Sequence, residues 1–163
     1  MAQPEIRVLV DNLDEAFDKK AWHGPNLRQS IRGVTAAQAA WRPRPGGHNI
    51  WELTLHAAYW KYAVRRKLTG AKRGGFVLKG SNFFSRPAGE PQEADWKSDI
   101  KILESEHRGL RTVVAALVSA SPRTLHLIRG AAAHDIYHAG QIRLLRRLQE
   151  DELAIQKASR KSN

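Results

Sequence analysis

Two segments of this chain repeat mostly apolar residues at alternating spacings of four and three, and this pattern constrains the fold more than any other feature. The first segment places on its stripe Trp96, Ile100, Leu103, His107, Leu110, Val114 and Leu117. The second places on its stripe Leu127, Ala131, His134, His138, Gln141, Leu145 and Leu148. A 4-3 alternation puts its members on one face of an α-helix, and such seams are typical of helical bundles. We therefore predict an all-α fold in which these two helices pack along their seams.

Two earlier segments also predict helices. Residues 4–19 carry apolar side chains at i, i+3, i+4 and i+7, and "LRQSIRGV" predicts a short further piece. Asn49 predicts the cap of another helix over 50–68, with Glu52 bonding back to it in a capping box. The connection 69–91 has Gly, Pro and Ser without helical period, which is typical of a long crossover. These features predict a four-helix bundle with a crossover between its second and third helices.

The length and composition indicate a single domain. The chain has 163 residues, of which 42% are hydrophobic and 26% are charged, as in ordinary globular proteins. We place the domain at 1–150 and expect 151–163 to be a basic, frayed tail. No apolar run approaches the roughly 20 residues that span a bilayer. Since the N-terminus lacks a basic leader before an apolar core, we also expect a cytoplasmic protein without membrane association.

The formal charge of +11 and the absence of cysteine limit which partners and which reactions the chain can be expected to have. Basic residues favour acidic partners, but no helix-turn-helix, zinc finger or RNA-binding pattern accompanies them. We therefore expect a solvated basic surface or an anionic small-molecule substrate rather than specific nucleic-acid binding. A chain without cysteine has no disulfide and no thiolate of its own, so any thiol must come from a cosubstrate.

The stretch "AAAHDIYHAGQI" (131–142) carries His134 and His138 one turn apart on the seam of the last helix. His56, inside "WELTLHAAYW", offers a third imidazole from the second helix. Three such nitrogens would form an open site for zinc, nickel, iron or copper, although hydrogen-bonded core histidines are the alternative reading. The spacing "HDxxH" is similar to a zinc motif, but the shorter Asp135 is not assigned the role of general base and is expected either to orient a ligand ring or to face solvent.

Several neighbours are candidates for the same site. Glu52, one turn before His56, serves the helix cap or accepts a proton, and we favour the cap. Gln141 bonds a ligand or a substrate, or packs in the seam, and Tyr59 is either a donor in a pocket or a packing residue. His48 is expected in a capping or loop role, with the mouth of the site as the alternative. His107 is expected to be a core histidine with a hydrogen-bond partner.

The segments "IWELxLHxAxW" and "HDxYHxGQI" resemble the DinB-like/YfiT-like superfamily, whose members are regarded as metalloenzymes. This is the damage-inducible helical family and not the DNA polymerase that shares the name. The resemblance extends from the first helix to about Leu148. It implies an up-down-down-up four-helix bundle with a long crossover between helices 2 and 3.

The resemblance also implies a function. A divalent metal, nickel or zinc among family members, would be bound by His56, His134 and His138. Relatives include thiol S-transferases that use bacillithiol or mycothiol, maleylpyruvate isomerases and hydrolases. We therefore expect a thiol-dependent transferase acting on a small molecule, with metal-dependent hydrolysis and a non-catalytic, stress-linked metal-binding module as alternatives. Family habit further suggests a homodimer.

Overall fold

A computed structural model describes residues 3–161, and this part of the chain is helical without any strand. Its elements are α1 (Pro4–Phe17), α2 (Leu27–Ile31), α3 (Ala36–Ala40), α4 (Ile50–Thr69), α5 (Glu93–Ala115) and α6 (Pro122–Lys161). The all-α prediction is confirmed. The described residues form six helices, however, where the sequence predicted four principal ones and one short piece.

The two short helices, α2 and α3, are each closed by a capping box. The Asn26 side chain accepts a hydrogen bond from the backbone N–H of Gln29 at 3.0 Å, and the Gln29 side chain accepts one from the Asn26 N–H at 3.1 Å. Thr35 and Gln38 repeat this exchange at the start of α3. Because a capping box satisfies two backbone donors at once, it stabilises helices of only five residues.

The four long helices pack on one another. Helix α4 lies against α5 and α6, and α1 lies against the same two helices from the other side. Helix α2 packs on α6 and α3 packs on α4. Residues 70–92 connect α4 to α5 without regular structure, close to the predicted crossover at 69–91.

The buried core consists of two apolar clusters with a polar layer between them. One cluster contains Trp51, Leu55, Trp96, Leu103 and Ile142, and the other contains Ile6, Leu13, Leu110, Val114 and Ile128. The polar layer contains the buried side chains of Lys61 in α4, His107 in α5 and Asp135 in α6. Each lies near the point along its helix where residues of one cluster are followed by residues of the other.

Helix α6 extends beyond the core. It continues to Lys161, and its side chains from 151 to 160 are exposed. The segment predicted as a frayed tail is therefore helical as far as it is described, and residues 162–163 lie outside the described part. None of the helices in residues 3–161 has the length and apolar character that crossing a membrane requires.

Candidate metal centre

Three histidine side chains converge between α4 and α6. The Nε2 atom of His134 lies 3.1 Å from Nε2 of His56 and 3.0 Å from Nε2 of His138. One ligand atom from each of the three rings lies within 4.8 Å of the others, so the group could hold a metal ion. Helical spacing explains why His134 and His138 are close, since residues i and i+4 of α6 lie on the same face. The packing of α4 on α6 supplies the rest.

Hydrogen bonds at the opposite ring nitrogens orient two of these imidazoles. Nδ1 of His56 lies 2.9 Å from the backbone carbonyl oxygen of Asn82, and Nδ1 of His138 lies 2.6 Å from Oε1 of Gln141. An oxygen acceptor requires a proton on the nitrogen that faces it, so we assign the Nδ1–H tautomer to both rings. Both Nε2 atoms therefore present a lone pair to the centre of the group.

Burial keeps the three rings in their neutral form. The pKa of His56 is lowered to about 4 and that of His134 to about 3, chiefly by desolvation and in part by neighbouring imidazoles, while the hydrogen bond to Asn82 acts in the opposite direction at His56. Burial also lowers the pKa of His138, although the bond to Gln141 acts in the opposite direction. A metal ion binds neutral imidazole, so these histidines need lose no proton to become ligands near pH 7.

The donor set fits a divalent ion. If His134 carries a proton on Nε2, that proton points to only one of the two facing lone pairs, and the other is left without a partner. A cation would accept all three lone pairs. Two nitrogens bound tetrahedrally to zinc are about 3.3 Å apart, close to the separations found here.

An aromatic stack borders the cluster. Phe83, from the crossover, stacks on His56 with ring centroids 4.0 Å apart. The ring of His48 stacks on the other face of Phe83, with centroids 3.7 Å apart. His48 lies in the loop before α4, as predicted, and its ring also lines the pocket beside the cluster.

Glu52 does not close the predicted capping box. The Asn49 side chain accepts a hydrogen bond from the Glu52 N–H at 2.8 Å, so the cap itself is present. The Glu52 carboxylate instead accepts hydrogen bonds from Arg42 and the Arg86 N–H and contacts Nδ1 of His48 at 3.0 Å. Burial raises the pKa of Glu52, but the bonds from Arg42 and His48 outweigh it and hold the pKa below its usual value.

The pocket that opens on the cluster has a volume of about 490 Å³. Beside the histidines and Phe83 it is lined by Leu53, Tyr137, Gln141, Leu144 and Leu145. Tyr137 accepts a hydrogen bond from Nε2 of Gln141 at 3.2 Å, which leaves its own hydroxyl proton free to donate. The pocket therefore combines apolar walls with the hydroxyl donor of Tyr137, the three imidazoles of the cluster and the ring of His48.

Other candidates lie outside this pocket. Tyr59 lines a different cavity, where its ring packs with Phe76 and Phe84. His107 stacks on Phe17 at 3.8 Å, and its Nδ1 lies 3.4 Å from Nζ of Lys61. The prediction of a core histidine with a polar partner fits this environment.

Asp135 is fully buried and accepts a hydrogen bond from Lys61. The reading in which Asp135 faces solvent is wrong, because it lies on the side of α6 that packs on α4. Burial raises the pKa of Asp135 to about 6, against the opposing effect of Lys61.

Two residues of the site were not predicted from the sequence. Asn82 supplies the carbonyl that orients His56, and its backbone adopts a left-handed conformation with φ of 68°. Phe83 stacks on His56 and His48, and no pattern in the sequence predicts these contacts. Both lie in a connection without periodicity, and only the left-handed preference of Asn was available as a hint.

The fold and the site define a protein that is helical over its described residues, with a three-histidine cluster that could hold a metal ion. A family model for the DinB superfamily matches residues 21–142, which is more than half of the chain and includes all three histidines. The chain therefore belongs to the DinB superfamily. No curated protein and no solved structure matches it.

Proposed function

We propose that this chain is a metal-dependent enzyme whose divalent ion is bound by His56, His134 and His138, and that it transfers a small thiol to an electrophile. The observation that carries the proposal is the convergence of three neutral Nε2 atoms at 3.0 and 3.1 Å. Zinc and nickel suit three imidazole ligands, and iron is the next choice. The four long helices would then form the up-down-down-up bundle of the family.

The chain's own residues would orient and shield the reaction. The Asn82 carbonyl and the Gln141 side chain hold the Nδ1 protons of two ligands, which keeps their Nε2 lone pairs directed inward. Phe83 covers one face of His56 and restricts water there. Tyr137 can donate a proton to a group of the electrophile bound in the pocket, and Leu53, Leu144 and Leu145 would contact its apolar part.

A divalent ion would supply Lewis acidity, which lowers the pKa of a thiol that it binds. The protein has no cysteine, so the sulfur would belong to a cosubstrate. In the transfer, the sulfur forms a bond to the electrophilic carbon, the leaving group departs with its electron pair, and the thiol proton passes to solvent. The net charge of +11 would favour approach of an anionic thiol.

The test is turnover of 1-chloro-2,4-dinitrobenzene with bacillithiol, mycothiol or glutathione, with zinc or nickel supplied. We expect thioether formation that requires protein, metal and thiol together, and that disappears in His138→Ala. The exposed His126, also on α6, supplies the matched control, and His126→Ala should keep the wild-type rate.

Two results would overturn the transferase proposal. Metal-dependent hydrolysis of an ester or amide without any thiol would assign the chain to the hydrolase alternative. Metal binding without turnover of either substrate class would favour a non-catalytic, stress-linked module. The cytoplasmic location and the homodimer stay predictions, to be examined by fractionation and by light scattering.

A further inference from the structure

A second cavity lies between α4 and the crossover, on the other side of Trp60 from the histidine cluster. Its volume is about 610 Å³, within the range of small-molecule sites. The Trp60 ring lines it and lies 6.3 Å from the His56 ring and 6.1 Å from the His134 ring, centroid to centroid. The cavity therefore adjoins the cluster without using any of its three ligands.

The inner wall of this cavity is aromatic. Tyr59, Tyr62 and Phe76 contribute rings whose centroids lie 5.4 to 6.0 Å apart. The Tyr62 hydroxyl accepts a hydrogen bond from the Gly75 N–H at 3.0 Å, and so its proton remains available. These rings offer a surface on which a flat hydrophobic group can stack.

The rim is strongly basic. Arg66 and Lys67 line the cavity from α4, whereas Arg73 and Lys79 line it from the crossover. No acidic side chain belongs to the lining, and none of these four cations forms an ion pair within the described residues. Four unpaired cations around a concave surface create a positive potential that a neutral ligand would not use.

We propose that this cavity is a second binding site, which takes small organic anions that carry a flat hydrophobic body and at least two acidic groups. The aromatic wall would contact the body, and cations from both α4 and the crossover would contact the acidic groups. The proposal does not depend on the transferase activity, since none of its residues is a candidate metal ligand.

The probe is naphthalene-1,5-disulfonate, titrated into the full-length protein by calorimetry at low ionic strength. Sulfate and 1-naphthylmethanol test the two halves of the proposed ligand separately. We expect the disulfonate to bind about tenfold more tightly than either of them, because only the disulfonate can contact both the aromatic wall and the basic rim. Equal affinity for sulfate, or for the neutral alcohol, would overturn the proposal.

The matched variants change the charge of the chain equally. Arg73→Glu/Lys79→Glu reverses two exposed rim cations and should weaken disulfonate binding by about tenfold or more. Lys97→Glu/Lys101→Glu reverses two exposed cations of α5 that lie outside the cavity, and it should bind like the wild type.

Equal weakening in both double variants would mean that net charge alone attracts the probe, which would overturn the proposal. His138→Ala should bind the disulfonate normally. Loss of binding in that variant would place the probe at the histidine cluster and would also overturn the proposal. A failed transferase assay changes neither expectation, so the two proposals can fail separately.

Discussion

At the scale of single residues, the direction of the inward-facing nitrogen of His56 and of His138 depends on what the opposite nitrogen of the same ring contacts. For His138 this partner is Gln141, three residues later on α6, at 2.6 Å. For His56 it is a backbone carbonyl of the crossover. Such partners fix the tautomer and the ring orientation, and they raise the basicity of the ligand.

Replacing Gln141 should therefore weaken metal binding without removing a ligand. We expect Gln141→Leu to lower the affinity for zinc by about 10- to 100-fold, measured by competition with a chromophoric chelator. Gln141→Glu keeps an oxygen acceptor and should retain the affinity. Gln149→Leu, farther along α6, is the control for loss of an amide. An unchanged affinity in Gln141→Leu would show that the bond to His138 has no part in metal binding.

His107 should make the stability of the metal-free protein fall in acid. Burial, assisted by Lys61, lowers the pKa of His107 to about 3, whereas the unfolded chain titrates near 6.5. Below about pH 6.5 the unfolded state binds the proton and the folded state does not, so the free energy of unfolding decreases. One such group contributes up to about 1.4 kcal/mol per pH unit.

The variant His107→Phe keeps a ring beside Phe17 and removes this titration. Urea denaturation between about pH 6 and pH 4 should show a slope smaller than that of the wild type by about 1 kcal/mol per pH unit. The exposed His126 provides the comparison, and His126→Phe should keep the wild-type slope. Identical slopes for the wild type and His107→Phe would contradict the assigned burial of a neutral imidazole.

The sequence predicted which histidines converge but not what holds them. Helical spacing places His134 and His138 on one face, the second helix offers His56, and the resemblance to the family implies the same three residues. Phe83 and Asn82 escaped prediction because they belong to an irregular connection whose path depends on the finished fold. The contacts of the Glu52 carboxylate with Arg42 and His48 were not predicted either, since both partners lie before the helix that carries Glu52.

At the scale of elements, the start of α4 positions part of the site. Asn49 is fully buried, and its side chain accepts from the Glu52 N–H while donating to the carbonyl oxygens of Ala40 and Arg86. One side chain thus joins the cap of α4, the end of α3 and the crossover.

Removing the Asn49 side chain should destabilise the protein more than removing an ordinary capping side chain does. Loss of a capping side chain costs about 1 kcal/mol, and the two carbonyls left without the amide add to it, so Asn49→Ala should destabilise by about 2 kcal/mol or more. Gln92, the residue that precedes α5, makes no side-chain cap bond, and Gln92→Ala should be near neutral. Equal effects in urea denaturation would contradict this account of the α4 terminus.

The sequence predicted long helices better than short ones. Helices α1, α4, α5 and α6 have apolar periodicity over several turns, which gives a signal that a single turn does not provide. Helix α3 has five residues, "AAQAA", and the sequence analysis does not predict it. Only the exchange between Thr35 and Gln38 marks it as helical.

At the scale of the whole molecule, a buried polar layer separates two apolar clusters and joins all four long helices. Lys61 bonds Asp135 across α4 and α6, His107 of α5 lies beside Lys61, and Asp14 of α1 bonds Arg111 of α5 at 2.7 Å. Little in the sequence indicates this layer, because Lys61 stands in the run "AAYWKYAV", which contains no carboxylate that could pair with it.

Breaking the Lys61–Asp135 pair from one side should be severe. Lys61→Met leaves a buried carboxylate without its cation, and we expect a loss of about 3–5 kcal/mol in the free energy of unfolding. The double variant Lys61→Met/Asp135→Leu should recover most of that loss, since the Oδ1 atom of Asp135 already lacks a hydrogen-bond partner in the described structure. A double variant no more stable than Lys61→Met would show that the layer needs its charges.

The most direct test of the account is the metal content of the purified, untagged protein, measured by elemental analysis after equilibration with zinc or nickel. The wild type and His126→Ala should each carry about one equivalent of metal, and His138→Ala should carry almost none, because two imidazoles do not form a stable site. An absence of metal in the wild type, or equal retention in His138→Ala, would contradict the assignment of the three histidines as a metal centre.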